Sequence, residues 1–239
     1  MHSCLLVGGA PAEHRGLDTI LDICHFDAIY AVDAGYASLK ARGIAAQRVF
    51  GDFDSLGYVP QKDQDLSAGC DEKRSDMHIE VFDSHKDFTD MNLALDHAIQ
   101  QGFTNIVMCD GLHARLDHSL GNLQLMAHAA HSGQRIWGIT EEELVITLDA
   151  SGGLNEVCVD AGAQGICSVI SHSDTATGVS EEGMEYSLRN ATVSNRALWG
   201  ISNELIGAPA RITLKEGSLW VFLPLNEAKR VSYSGVKLA

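Results

Sequence analysis

Basic side chains are scarce: 17 lysines and arginines stand against 32 aspartates and glutamates, for a formal net charge of −15. So acidic a surface repels polyphosphate backbones, which argues against nucleic acid as a partner. Any phosphate-bearing ligand would have to be brought in by cations. Cysteine pairs are missing too. Cys4, Cys24, Cys70, Cys109, Cys158 and Cys167 are scattered with no C-x-x-C spacing, and four of them sit among apolar neighbours, where cysteine packs as a small hydrophobe. They read as buried free thiols, in keeping with a reducing compartment. No apolar run approaches the roughly 20 residues of a membrane span. The start, "MHSCLLVGGAPAEHRG", has neither the basic region nor the apolar length of a signal peptide. The expectation is an untargeted cytoplasmic protein without membrane contact.

Several catalytic signatures are also absent. No G-x-x-x-x-G-K-[ST] occurs, against a P-loop kinase, and "GGAP" (8–11) is not G-x-G-x-x-G. Neither G-x-S-x-G nor H-E-x-x-H is present, which removes two hydrolase classes. The eleven histidines show no metal-ligand spacing.

What is present is an ordinary globular balance of 45% hydrophobic and 21% charged residues over 239 positions. In the first 135 or so residues, short β-type runs alternate with helical patterns. "SCLLV" (3–7), "AIYAV" (28–32), "RVF" (48–50), "IEVF" (79–82) and "NIVMC" (105–109) read as strands. Met91, Leu95, Ala98 and Ile99 form a helical stripe stopped at Gly102, and Leu116, Leu120, Leu123 and Ala127 another stopped at Gly133. This alternation predicts a Rossmann-like α/β unit with a mainly parallel sheet, over residues 1–138. Beyond it, "LVITL" (144–148), "GICSVI" (165–170), "MEYSL" (184–188) and a hairpin over 210–224 predict an all-β unit of sandwich or barrel type spanning 139–239. Trp199 and Trp220 read as core of that unit, with stacking on a cationic ligand as the alternative.

The acids fall at informative places. Asp33, Asp52, Asp83 and Asp110 each follow a predicted strand directly or after one glycine. In an open parallel sheet the carboxyl ends of the strands share one edge, where ligands bind. Singly, each such acid reads as a helix cap or Asx-turn. Asp52 and Asp54 are harder to explain that way. At i and i+2 in extended chain they leave one face about 6–7 Å apart, where two charges repel by roughly 2.5 kcal/mol at an effective dielectric of about 20. A hard cation such as Mg²⁺, held by one or two carboxylates, turns that repulsion into attraction. "KDFTD" adds Asp87 and Asp90 around a helix start, with Thr89 as a cap. "GLHARLDHSLGN" adds Arg115, a candidate phosphate fork or a partner of Asp117, and Asn122.

"GDFDS" (51–55), "KDFTD" (86–90), "RLDHSLGN" (115–122) and "GISNE" (200–204), in this order and spacing, resemble the blocks of the thiamine pyrophosphokinase family, and "GMEYSL" (183–188) resembles a segment before the last. The resemblance implies transfer of a diphosphate from ATP to the hydroxyethyl group of thiamine, giving thiamine diphosphate and AMP. It also implies an α/β catalytic unit, a β-sandwich, and a homodimer with active sites between subunits. Asp52, Asp54 and Asp87 would hold Mg²⁺ and ATP with Asp90 close by. Asp33, Lys86, Arg115, Asp117 and Asn122 would belong to the nucleotide cleft, and Ser202 and Asn203 would contact thiamine. Rival readings are transfer to another heterocycle such as a hydroxymethylpterin, a Mg²⁺-dependent phosphohydrolase, and a non-catalytic thiamine sensor. Two departures stand out: the family favours a glycine pair where Ala34-Gly35 stands, and Gly-Gly where His113-Ala114 stands.

Overall fold

β1 (Ser3–Val7) is apolar at almost every position because both its faces are covered. Leu5 and Val7 face one layer of helices, and Cys4 and Leu6 face the other. The computed structural model of the chain describes residues 2–9, 13–52, 78–81, 87–112, 115–197 and 199–238. Around β1 lie α1 (Arg15–Ile23), β2 (Ala28–Val32), α2 (Gly35–Ala41), β3 (Arg48–Gly51), β4 (His78–Val81), α3 (Asp90–Gln100), β5 (Asn105–Cys109), α4 (Leu116–His131) and β6 (Arg135–Ile139). The strands at 3–7, 28–32 and 105–109 match the sequence reading to the residue. These six strands are parallel, in the order β4-β3-β2-β1-β5-β6, so the direction of winding reverses between β1 and β5. α1 and α2 cover one face through Leu17, Ile20, Tyr36 and Leu39; α3 and α4 cover the other through Met91, Leu95, Ala98 and Met126.

The six strands of the first unit are parallel as expected, but the sheet does not stop there. β7 (Glu143–Asp149) pairs antiparallel with β6, and β14 (Ser218–Pro224), β9 (Gln164–Ser171) and β12 (Asn203–Ile206) extend it to ten strands. It is a mixed sheet. A separate antiparallel sheet, β11-β10-β13-β8-β15-β16, comprises β8 (Glu156–Val159), β10 (Thr175–Glu182), β11 (Leu188–Ser194), β13 (Ala210–Thr213), β15 (Val231–Tyr233) and β16 (Val236–Lys237). Val157, Val179, Ile212 and Val231 of the second sheet share one core with Cys167, Val169, Leu219 and Val221 of the first.

Four local readings change. Residues 210–224 are not a hairpin: β13 pairs with β10 and β8, β14 with β7 and β9, so the chain crosses between sheets. The alternation was real, but each strand turns its apolar side toward the opposite sheet. "MEYSL" is not a strand. It holds one bridge, Met184 to Leu205, before β11 begins at Leu188. The α4 stripe is buried at its end only. Leu116 and Leu120 are 74% and 50% exposed, while Met126, Ala127, Ala129 and Ala130 pack inward. Trp199 is 62% exposed and Trp220 half-buried against the His172 ring; the fully buried tryptophan is Trp137, which donates to Asn105 at 2.7 Å.

Thr89 caps α3, accepting from the Asn92 amide at 3.2 Å, and Gly102 at φ +84° follows its end. Thr89→Ala is expected to cost about 1 kcal/mol, read as a shifted urea midpoint with an unchanged slope. Cys4, Cys24, Cys109 and Cys167 are buried free thiols and Cys158 is partly exposed; Cys70 lies outside the described residues. Burial pushes the Cys24 thiol up to about 11 and the Cys167 thiol to about 12, with Cys4 and Cys109 also raised. At pH 8 these four should resist alkylation in the native protein and react once guanidinium unfolds it, as mass spectrometry would show.

Candidate active site

Where the winding reverses, the carboxyl ends of β1 and β5 part and leave a crevice, the usual ligand position of an open α/β sheet. Backbone crowding shapes its floor. A Cβ on Gly8 would meet the Asp110 carbonyl at 2.5 Å, and one on Gly35 would meet the Val7 carbonyl at 2.0 Å. Only glycine admits that approach. Ala34, by contrast, sits in ordinary helical backbone at φ −63°, so an alanine fits the first position of the expected glycine pair. His113 and Ala114 lie outside the described residues.

Above this floor is a cleft of about 960 Å³. Asp33 follows β2, Asp52 follows β3, Asp110 follows β5, and Asp87 and Asp90 flank the start of α3; all five line it. Arg115, Asp117 and Asn122 reach it from the start of α4. Of the expected nucleotide-side residues, Asp54 and Lys86 lie outside the described residues, as does Asp83. The rest come together. Seven aspartates line the cleft, against one arginine and no lysine among the described residues.

Individual geometries show how the wall is held. Arg115 and Asp117 form a two-pronged pair, 3.2 Å from Nε to Oδ1 and 2.6 Å from Nη2 to Oδ2. The guanidinium holds the Asp117 carboxyl below the usual carboxylate range. Both side chains are mostly exposed, so the pair adds little stability and the arginine can be re-aimed. Asn122 donates from Nδ2 to the Gly111 carbonyl at 2.6 Å. Asp33 and Asp110 adopt left-handed backbone at φ 50° and 54°, a strained geometry that collects at functional sites.

Sequence reasoning passed over other members of the cleft: Asn92 and Asp96 of α3, and Gln124 and His128 of α4. The four-residue spacing of Asn92 and Asp96 on α3 and of Gln124 and His128 on α4 was the available signal. Asp110, 2% exposed, is more than a turn residue. Its Oδ2 pairs with His14 Nδ1 at 2.7 Å, and His14 Nε2 lies 3.2 Å from Ser38 Oγ.

Ser202 and Asn203 do not line this cleft. Ser202 has φ 59° and its amide donates to Ser168 Oγ at 3.0 Å, while Asn203 is 3% exposed. Within one chain, the structure leaves the expected thiamine residues apart from the acidic rim.

The cleft's donors are carboxylate oxygens, which suit a hard cation such as Mg²⁺. Among the described residues no group of three or more His, Cys, Asp or Glu forms a ready metal cage. That is compatible with an ion bound by one or two carboxylates and completed by water and phosphate. No helix among the described residues is long and apolar enough to cross a membrane.

Comparisons with known proteins agree with this architecture. Residues 23–138 match the family model "Thiamin pyrophosphokinase, catalytic domain", and residues 156–219 match "Thiamin pyrophosphokinase, vitamin B1 binding domain". The chain is 28% identical to the thiamine pyrophosphokinase of Bacillus subtilis over 189 residues, which is 79% of this chain and 83% of that one. The crystal structure of a Bacillus subtilis thiamine pyrophosphokinase superposes with a TM-score of 0.76 at 23% identity, covering 93% and 98% of the two chains. The Candida albicans enzyme does so at 0.70 and 14% identity, covering 93% and 88%. Two adjoining models of one family, a relative aligned over most of both chains and the shared fold lead to one conclusion: the chain belongs to the thiamine pyrophosphokinase family.

Proposed function

We propose that this protein is a thiamine diphosphokinase, moving the diphosphate of ATP onto the hydroxyethyl oxygen of thiamine and releasing AMP. The observation that carries the reading is the convergence of Asp33, Asp52, Asp87 and Asp90 on one cleft at the sheet's reversal point, with Arg115 also lining it. In this reading residues 1–138, a Rossmann-like unit, bind ATP and Mg²⁺, and residues 139–239, a β-sandwich, bind thiamine.

Diphosphoryl transfer needs charge neutralisation and in-line placement more than covalent help. Asp52, Asp54 and Asp87 would hold Mg²⁺, which would supply positive charge to offset that of the phosphates. Asp33 and Asn122 shape the nucleotide side. Arg115, turning from Asp117, and Lys86 add positive charge to the transferred group. Asp90 or Asp117, whichever is not engaged with cations, accepts the alcohol proton. The acidic cleft attracts the thiazolium of thiamine, a gain that a neutral pterin would not share.

Ser202 and Asn203 belong to the thiamine-side wall in this reading, so a second copy of the chain must bring that wall to the cleft. Exposed apolar side chains support a homodimer: Phe88, Leu116 and Leu120 near the cleft, and Trp199, Ile201 and Ile206 near Ser202. Sedimentation at micromolar concentration checks it, a fully active monomer being the contrary result. The reaction itself is tested by following AMP from ATP and Mg²⁺, with and without thiamine. AMP formed with thiamine alone supports the reading. Turnover with a hydroxymethylpterin, phosphate release without acceptor, or binding without turnover would instead indicate the other transferase, a phosphohydrolase or a sensor.

A further inference from the structure

Glu181 is an acid in the wrong place for a solvated residue. It is 0% exposed, on the face of β10 that also buries Val179, in the apolar space between the two sheets. A carboxyl group is not carried there without a partner. Its Oε2 accepts from Asn203 Nδ2 at 2.7 Å, across from one sheet to the other. Its Oε1 has no hydrogen-bond partner and faces the backbone of Gly200, where a Cβ would stand 3.0 Å away.

Asn203 is fully engaged. Nδ2 also donates to the Tyr186 carbonyl at 2.6 Å, and Oδ1 accepts from the Tyr186 amide at 3.0 Å and the Glu204 amide at 2.9 Å. An asparagine side chain has two donor hydrogens and two acceptor lone pairs. All four are used, and the residue is 3% exposed, so nothing remains with which to bind a ligand. Both backbone groups of Tyr186 are held by this one side chain, while the Tyr186 ring is 67% exposed. On the other flank, Ser202 is fixed in left-handed backbone directly before Asn203.

We propose that Glu181 and Asn203 are positioning residues that form a buried clamp, setting the surface on which Tyr186 and Ser202 meet thiamine. Asn203 acts from behind that surface and does not touch the ligand. The inference rests on the thiamine diphosphokinase reading. Burial raises the Glu181 carboxyl above its usual range, in keeping with a role as hydrogen-bond partner and not as a charge presented to substrate.

Three variants test it: Glu181→Gln, which keeps an acceptor for Asn203; Glu181→Met, which keeps the volume and removes the acceptor; and Asn203→Ala, which removes the clamp. The readouts are thiamine Kd by calorimetry, KM for thiamine and for ATP, kcat, and hydrogen exchange at the Tyr186 amide. Glu181→Gln should stay within about twofold of wild type. Glu181→Met and Asn203→Ala should speed exchange at Tyr186 and weaken thiamine binding about tenfold, with KM for ATP unchanged. Faster exchange with unaltered thiamine binding would overturn the clamp's role while leaving the reaction assignment standing. So would an equal change in both KM values. A wild-type chain that neither binds thiamine nor makes AMP with it would overturn the reaction assignment itself. Should Asn203→Ala fail to fold, the contrast between Glu181→Gln and Glu181→Met decides.

Discussion

Asp52→Asn is expected to lower AMP formation from ATP and thiamine by roughly 10³-fold, about 4 kcal/mol of transition-state stabilisation. Asparagine keeps the size and one oxygen of the side chain but loses the charge that draws a divalent ion. Seven aspartates among the described residues share the cleft, and removing one negative charge relieves repulsion among the others. The thermal midpoint should therefore hold or rise, as it commonly does when a functional site is neutralised. Activity and melting measured on the same sample separate the outcomes. A variant that melts early yet keeps full specific activity in its folded fraction would make Asp52 structural.

Gly35→Ala should have the largest effect on stability, about 3 kcal/mol or more. Its new methyl would fall 2.0 Å from the Val7 carbonyl and 2.7 Å from that of Gly8. Both are backbone atoms at the end of a buried central strand, so neither can swing aside as a side-chain tip would. For a chain of this size that corresponds to a midpoint about 6–12 °C lower. Ala34→Gly is the control. It removes a methyl from ordinary helical backbone beside the same strand and should cost under about 1 kcal/mol. Equal stability of Gly35→Ala and wild type, by circular dichroism melting, would show that α2 is not pressed against β1 as described.

The strands that carry the site were legible because burial on both faces leaves a continuous apolar run, as in 3–7, 28–32 and 105–109. The acids were legible because they follow those runs. What escaped depends on residues far apart in the chain. α1 has no side-chain cap of its own; the Glu141 carboxylate accepts from the His14 and Arg15 amides at 2.8 Å each. The pairing of His14 with Asp110 has no local signature either. β13 and β14 have the alternation of a hairpin, and only the sheet order shows that they part. Leu116 and Leu120 have helical spacing but no core to face. The saturated side-chain amide of Asn203 is visible only in three dimensions.

The ladder between β6 and β7, running from Trp137–Ile146 to Ile139–Leu144, is where the parallel and antiparallel strands are sewn together. A chain cut there would bare the amides and carbonyls of β6 along with Ile136, Trp137 and Ile139, which are at most 1% exposed in the intact fold. Such an edge invites the next molecule to add itself as a strand. Expressed alone, residues 1–140, which keep β6 whole, should therefore gather into insoluble aggregates, and the whole chain should melt in a single cooperative transition.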